Sequence, residues 1–391
     1  MIPHIENDKE LFEFIRSNGK EDNVSLKELF SKYNFESISI NELVKEFRNP
    51  DKTLIIDARS ENEYNESHLP DAINFPVLNN LERHNVGLLY KKYSQSSAIW
   101  LAKEYANPKS ESLKNFLNDN KAKEKEIIVY CWRGGGRSKY LSKMITDLGY
   151  KIKFIESGQK AYRKKVNDFF KTHNPELNFL ELRGLTGSGK TELLNLLKND
   201  LPVIDLELAA RHYSSLFGNV PYDINNYPRV KNQSAFENSL FEQFARYDLE
   251  NPPLFIIESE SKRVGDFSIP DSIYNKIESA PCVQINCSLE SRTQRITKDY
   301  FGDDLRGLKA MEKIYTERER FFKEQLSNEV YARLLSYLKS AEVSNFTKEM
   351  MEKYYDKRYK VKPKLPIEEI SSEDINEAKI KITKIYKKIS T

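Results

Sequence analysis

A chain of 391 residues and 45.8 kDa is long for one hydrophobic core, so two domains with extensions are expected. Hydrophobic residues make up 39% and charged residues 31%, with a mean hydropathy of -0.66, which excludes a bundle of membrane-spanning helices and predicts a heavily solvated surface. The 62 basic and 59 acidic side chains leave a net charge of +3, which permits nucleic-acid binding through local patches without requiring it.

The first residues include Glu6, Asp8, Lys9 and Glu10 where a secretory signal would need an apolar core, so the cytoplasm is the expected compartment. Three cysteines, Cys131, Cys282 and Cys287, are too few for a disulfide framework, and none stands in a C-x-x-C pair. The five histidines, His4, His68, His84, His173 and His212, have no ligand spacing, so no structural zinc is expected. Cys282 and Cys287 lie in a stretch that reads as a buried strand, where cysteine acts as a small hydrophobe.

In chain order, residues 1–37 are polar with apolar clusters at Leu11, Phe12, Phe14 and Ile15, and read as a helical extension. An α/β pattern opens at Ile38. Thr53 to Ile56 is a short apolar strand ending at Asp57, Ile127 to Tyr130 is another ending at Cys131, and Lys139 to Leu148 has helical spacing. This first domain runs over 38–170. A connector over 171–178 contains His173, Asn174 and Pro175.

A second domain over 179–348 begins with a strand at Phe179 to Leu182, a glycine loop, and a helix from Thr191 to Lys198. Leu201 to Leu206, Leu254 to Ile257 and Val283 to Ile285 read as further strands alternating with helices, the pattern of a parallel sheet. The remainder, 349–391, reads as a basic helical segment. There Ile375, Ala378, Ile382, Ile385 and Ile389 repeat at helical spacing behind Ser371 and Ser372 as caps, with Lys379, Lys381, Lys384, Lys387 and Lys388 on the polar face.

Two loops carry chemistry. The first is Cys131, Trp132, Arg133, Gly134, Gly135, Gly136, Arg137 and Ser138, at a strand-to-helix turn. Its glycines let backbone N–H groups turn inward, a helix N-terminus favours a thiolate, and Arg133 and Arg137 add positive charge for an anionic donor or substrate. The second is Gly184, Leu185, Thr186, Gly187, Ser188, Gly189, Lys190 and Thr191, a complete G-x-x-x-x-G-K-[ST] phosphate loop. Its N–H groups ring a phosphate, Lys190 neutralises it, and the Thr191 hydroxyl is placed for magnesium if a metal-phosphate ligand is used. Asp205, Glu207, Glu258 and Glu260 follow later strands and are the acidic candidates to face this loop. The motif specifies phosphate without choosing the compound, and a diphosphate leaving group fits as well as a nucleotide.

Asp57-Ala-Arg59-Ser60, Glu63-Tyr64, His68 to Asn74 and the Cys131 loop follow the order of a rhodanese domain, which this region resembles. Asp57 and Arg59, at a strand end, suit an internal ion pair better than catalysis. The order of the two loops, with Glu82-Arg83, Lys160 to Arg163, Asp205-Leu-Glu207, Phe217-Gly218, Glu258 to Ser261, Arg263 to Gly265 and Tyr355-Asp356, resembles the bacterial tRNA 2-selenouridine synthases. The chain departs from that pattern at Gly136, at Glu156 to Gln159, and after Glu207.

The resemblance implies a rhodanese-like domain followed by a P-loop NTPase-like parallel-sheet domain, and a two-stage transfer on tRNA carrying 2-thiouridine at the wobble position. The sulfur is alkylated by geranyl diphosphate, and selenium from selenophosphate then replaces it to give 2-selenouridine. These are co-substrates, and no tightly bound cofactor is expected. A selenophosphate-supplying enzyme is an expected partner, with no role for DNA or membrane. Lys190 would serve the departing diphosphate and Cys131 the selenium step, as a perselenide carrier or by attack on C2. Candidate RNA contacts are Lys160, Arg163, Lys164 and Lys165, then Arg229 and Lys231 near Tyr227, and the C-terminal lysines. Two other classes stay open: a sulfurtransferase fused to an ATP-dependent kinase-like domain acting on a small molecule, and a non-catalytic nucleotide and redox sensor.

Overall fold

The computed structural model describes residues 5, 7–19, 26–171, 176–358 and 364–390. It divides into two units, 1–168 and 169–391, each built on its own five-stranded sheet. Of the connector expected over 171–178, residues 172–175 lie outside the described residues, Lys171 ends a helix and Asn178 already opens a strand.

In the first unit the strands are β1 (Glu36–Ile38), β2 (Thr53–Asp57), β3 (Ile73–Asn74), β4 (Glu126–Tyr130) and β5 (Ile152–Ile155), ordered β1-β5-β4-β2-β3. Every pairing is parallel, with Asp57 opposite Tyr130. Strands β2 and β4 are buried on both faces, which is why they read as unbroken apolar runs. Their C-terminal ends lie side by side and carry Asp57 and Cys131. Asp57 and Arg59 form the expected internal pair: the guanidinium Nε donates to the Asp57 carboxylate at 3.0 Å, and Nη2 donates to the Ser67 carbonyl at 2.6 Å. The helix Asp8–Asn18 is no loose appendage, because Leu11 and Ile15 bury themselves with Leu89, Ala98 and Leu101.

In the second unit the strands are β6 (Asn178–Arg183), β7 (Val203–Ile204), β8 (Leu254–Glu258), a short hairpin of β9 (Arg263–Val264) with β10 (Phe267–Ser268), β11 (Cys282–Asn286) and β12 (Glu368–Ser371). The main sheet runs β12-β11-β6-β8-β7, all parallel. Strand β7 is shorter than its apolar run, because Asp205 caps a helix that starts at Leu206. Cys282 is buried in β11 as expected, whereas Cys287 falls beyond the strand and is half-buried.

The C-terminal segment differs most from expectation. Rather than standing apart as a basic helix, it supplies edge strand β12 and the helix Ile375–Ile389, whose Ala378, Ile382, Ile385 and Tyr386 fill the core over the sheet. The cap is Asp374, since Ser371 belongs to the strand and the Ser372 hydroxyl donates to the Ser188 carbonyl at 2.7 Å. The apolar stripe needed a partner, and β11 had an open edge for β12 to cover. A separate helical cap, rich in aromatic side chains from Phe217, Tyr315, Phe322 and Phe346, has its own core. Among the described residues no helix is long and apolar enough to cross a membrane.

Candidate functional site

The Cys131 side chain sits at the end of β4, buried, with Sγ 3.2 Å from the Ser138 hydroxyl. Ser138 donates in turn to the Gly135 carbonyl at 3.1 Å, and the helix Gly136–Asp147 begins inside the loop, so its free N–H groups belong to the sulfur's surroundings. The segment Glu156 to Gln159 braces this loop from behind. The Gln159 and Lys160 amides donate to the Cys131 and Trp132 carbonyls at 2.9 and 3.0 Å. Gly158, at φ +50, is required there, because a Cβ would overlap the Cys131 carbonyl oxygen. Gly158→Ala is therefore expected to lower stability by about 2 kcal/mol or more, seen as a lower urea midpoint together with weakened thiol chemistry.

Two loop side chains are placed otherwise than their types suggest. Arg137 is paired with Glu63, which also holds Arg83 at 2.8 Å, so its charge is committed to the scaffold, and burial opposed by the Arg137 pair leaves the Glu63 carboxyl below its usual range. Arg133 is exposed and remains the loop's cation toward solvent. Trp132 is 42% exposed, so it does not serve as packing beneath the loop.

In the second unit the phosphate loop leaves the C-terminal end of β6 and enters the helix Lys190–Leu197. Lys190 Nζ folds back over the loop, donating to the Gly184 and Leu185 carbonyls at 2.9 and 3.4 Å. Thr191, one residue on, donates its hydroxyl to Glu207 Oε2 at 3.0 Å. Glu207 Oε1 accepts from the Ser214 amide at 2.8 Å, and Glu258 Oε1 accepts from the Leu206 and Glu207 amides at 3.1 and 3.0 Å. Parallel order puts β8 beside β6 and β7 next to β8, so the acidic residues after them lie at the same end of the sheet as the loop.

Glu207, Glu258 and Glu260 bring ligand oxygens within 4.8 Å of one another. Burial, then the Glu260 charge, pushes the Glu207 carboxyl up to about 8, and burial also raises Glu258 and Glu260. Glu258 Oε2 is buried without a hydrogen-bond partner. A cluster of hard oxygens with one unsatisfied atom, beside the Thr191 hydroxyl, fits a divalent cation such as magnesium. Asp205 caps the next helix, its carboxylate accepting from the Leu208 amide at 2.7 Å, and its carboxyl also meets the Glu258 carboxyl at the edge of this cluster.

Several residues here were not singled out in the sequence. Arg292 Nε donates to the Thr186 carbonyl at 2.8 Å while the same guanidinium pairs with Asp356, tying the phosphate loop to the helical cap. Arg295 reaches Glu192, the Ser372 carbonyl and Cys287 Sγ. With Ile296, these positions share one face of the helix Leu289–Phe301, and that spacing was the available signal. Of the RNA candidates, Lys160, Arg163, Lys164 and Lys165 lie on the helix Gly158–Lys171, where Arg163 bonds Asn167; Arg229 is held by Asp223 at 3.0 Å, and Lys231 is exposed.

The model for the tRNA 2-selenouridine synthase AAA domain matches residues 177–385, more than half of the chain. The chain belongs to that family. A rhodanese-like domain matches residues 39–165 in addition, so both loops lie within matched domains. Among curated relatives, the tRNA 2-selenouridine synthase of Pseudomonas syringae pv. syringae strain B728a is 32% identical over 63% of this chain and 65% of that protein. The one from Nitrosomonas europaea is 32% identical over 63% of each chain. The matches thus span just under two thirds of these relatives' own length.

Proposed function

We propose that this protein is a tRNA-modifying transferase that converts wobble 2-thiouridine to 2-selenouridine in two stages. The observation that carries this is a complete phosphate loop and a braced thiol loop, each on its own parallel sheet, in one chain of the selenouridine synthase family.

In the first stage the C2 sulfur attacks the allylic carbon of geranyl diphosphate. A carbon–sulfur bond forms, the carbon–oxygen bond breaks, and diphosphate leaves as the uracil N3 proton is lost. The loop amides and Lys190 stabilise the charge that develops on the leaving group. Thr191, Glu207, Glu258 and Glu260 would hold magnesium, which when bound adds further neutralisation of that charge.

In the second stage the alkylated sulfur leaves C2 as geranyl thiol. Selenium in selenophosphate is already at the selenide level, so building a perselenide on Cys131 would need a two-electron oxidant. Addition of the Cys131 thiolate to C2, with loss of geranyl thiol, needs none, and selenium then displaces the cysteine before water cleaves the phosphorus–selenium bond. We favour this route. The partners are wobble-thiolated tRNA and an enzyme that supplies selenophosphate, and the setting is the cytoplasm. Lys160, Arg163, Lys164, Lys165, Arg229 and Lys231 are proposed RNA contacts, and exposed Trp132 offers a face for base stacking.

Incubating the purified full chain with 2-thiouridine tRNA, geranyl diphosphate and selenophosphate tests the proposal. Nucleoside mass spectrometry is expected to show the geranylated base first and 2-selenouridine next. If neither forms, while ATP is consumed with a small-molecule acceptor, the kinase-like reading replaces it.

A further inference from the structure

Beside the phosphate loop, the helical cap encloses a narrow pocket whose wall is hydrocarbon and aromatic. Thr186, Ser215 and Tyr355 on its lining are half-buried, whereas Phe346, Met311 and Met350 are buried, so the pocket runs inward from the loop. Its contact with the loop is direct. Ile296 on the wall would lie 2.9 Å from a Cβ at Gly187, which has φ +78, and Arg292 holds the Thr186 carbonyl in place. A π-helical turn, Met351–Tyr355, turns two of its residues into the lining, and such turns are frequent at functional sites.

Three hydroxyls of the wall already have partners within the protein. The Ser215 and Tyr300 hydroxyls are 2.7 Å apart, and the Thr347 hydroxyl donates to the Val343 carbonyl at 2.8 Å. A nucleoside needs partners for its base and ribose edges, and would leave them unpaired here. A hydrocarbon chain has no such need, and methionine side chains can repack to widen a narrow pocket around it.

We propose that this pocket takes the hydrocarbon chain of a diphosphate held at the Lys190 loop, and that Met311, Phe346 and Met350 at its buried end set the longest chain accepted. This rests on the reading of the loop as a diphosphate site.

The test is calorimetric titration of the full chain with inorganic diphosphate, dimethylallyl, geranyl and farnesyl diphosphates, and ATP. Affinity is expected to rise with chain length up to geranyl, by about fourfold per buried methylene at most, and to fall for farnesyl. Met350→Trp is expected to cut geranyl diphosphate affinity at least about tenfold while inorganic diphosphate still binds, which also reports an intact fold. Should that variant fail to fold, Met311→Ala decides, by raising the farnesyl-to-geranyl affinity ratio about tenfold. Equal affinity for inorganic and geranyl diphosphate overturns the pocket and leaves the diphosphate site standing. Tighter binding of ATP than of geranyl diphosphate, or a geranyl affinity and a chain-length ratio untouched by both substitutions, overturns it as well. If no diphosphate binds, the underlying reading falls with it.

Discussion

Cys131→Ser is expected to leave geranylation of 2-thiouridine tRNA at its normal rate and to slow conversion of the geranylated nucleoside to 2-selenouridine on the order of 10³-fold. The substitution keeps the side chain's size at a buried position, so packing is preserved and the change is chemical. The thiol stands 3.2 Å from Ser138 at the start of a helix, and an unactivated hydroxyl at the same place is a far weaker nucleophile. Pre-geranylated tRNA supplied with selenophosphate isolates the step. Conversion at the normal rate would remove Cys131 from the chemistry and leave the second stage to direct displacement at C2.

Lys190→Ala gives the reciprocal result. Geranylation is expected to fall about 10²- to 10³-fold, the range for removing one preorganised group that meets developing charge, while pre-geranylated tRNA is still selenated. The loss belongs mainly in kcat, because the diphosphate gains charge as the allylic bond breaks. The lysine's ammonium rests on the loop's own carbonyls, so its removal takes away a cation and leaves the backbone ring of N–H groups in place. Single-turnover rates with geranyl diphosphate in excess measure this; normal geranylation would place the diphosphate elsewhere.

Both variants act at loops that were legible in the sequence. A glycine-rich turn between a strand and a helix is a local device: its residues are consecutive, and their conformations follow from spacing alone. The Asp57–Arg59 pair was legible for the same reason, because two residues at a strand end share one short reach. Spacing also located the four carboxylates after the strands, but gave all of them one status. The fold gives them different parts: the helix that starts at Leu206 makes Asp205 its cap, while Glu207, Glu258 and Glu260 gather their oxygens.

The sequence by itself determined two α/β domains, a thiol loop at Cys131 and a phosphate loop at Lys190, because each depends on residues close along the chain. Only the tertiary structure decided what lies around them. Glu63 neutralises Arg137 from 74 positions away, Ser372 reaches the phosphate loop across 184, and Arg292 joins that loop to Asp356. The C-terminal helix showed its apolar stripe plainly, but a stripe says that a face will be buried without saying against what. The apolar pocket has the same origin: Phe217, Ile296, Met311 and Phe346 are ordinary core residues in sequence, and become a binding wall only where the fold sets them beside Thr186.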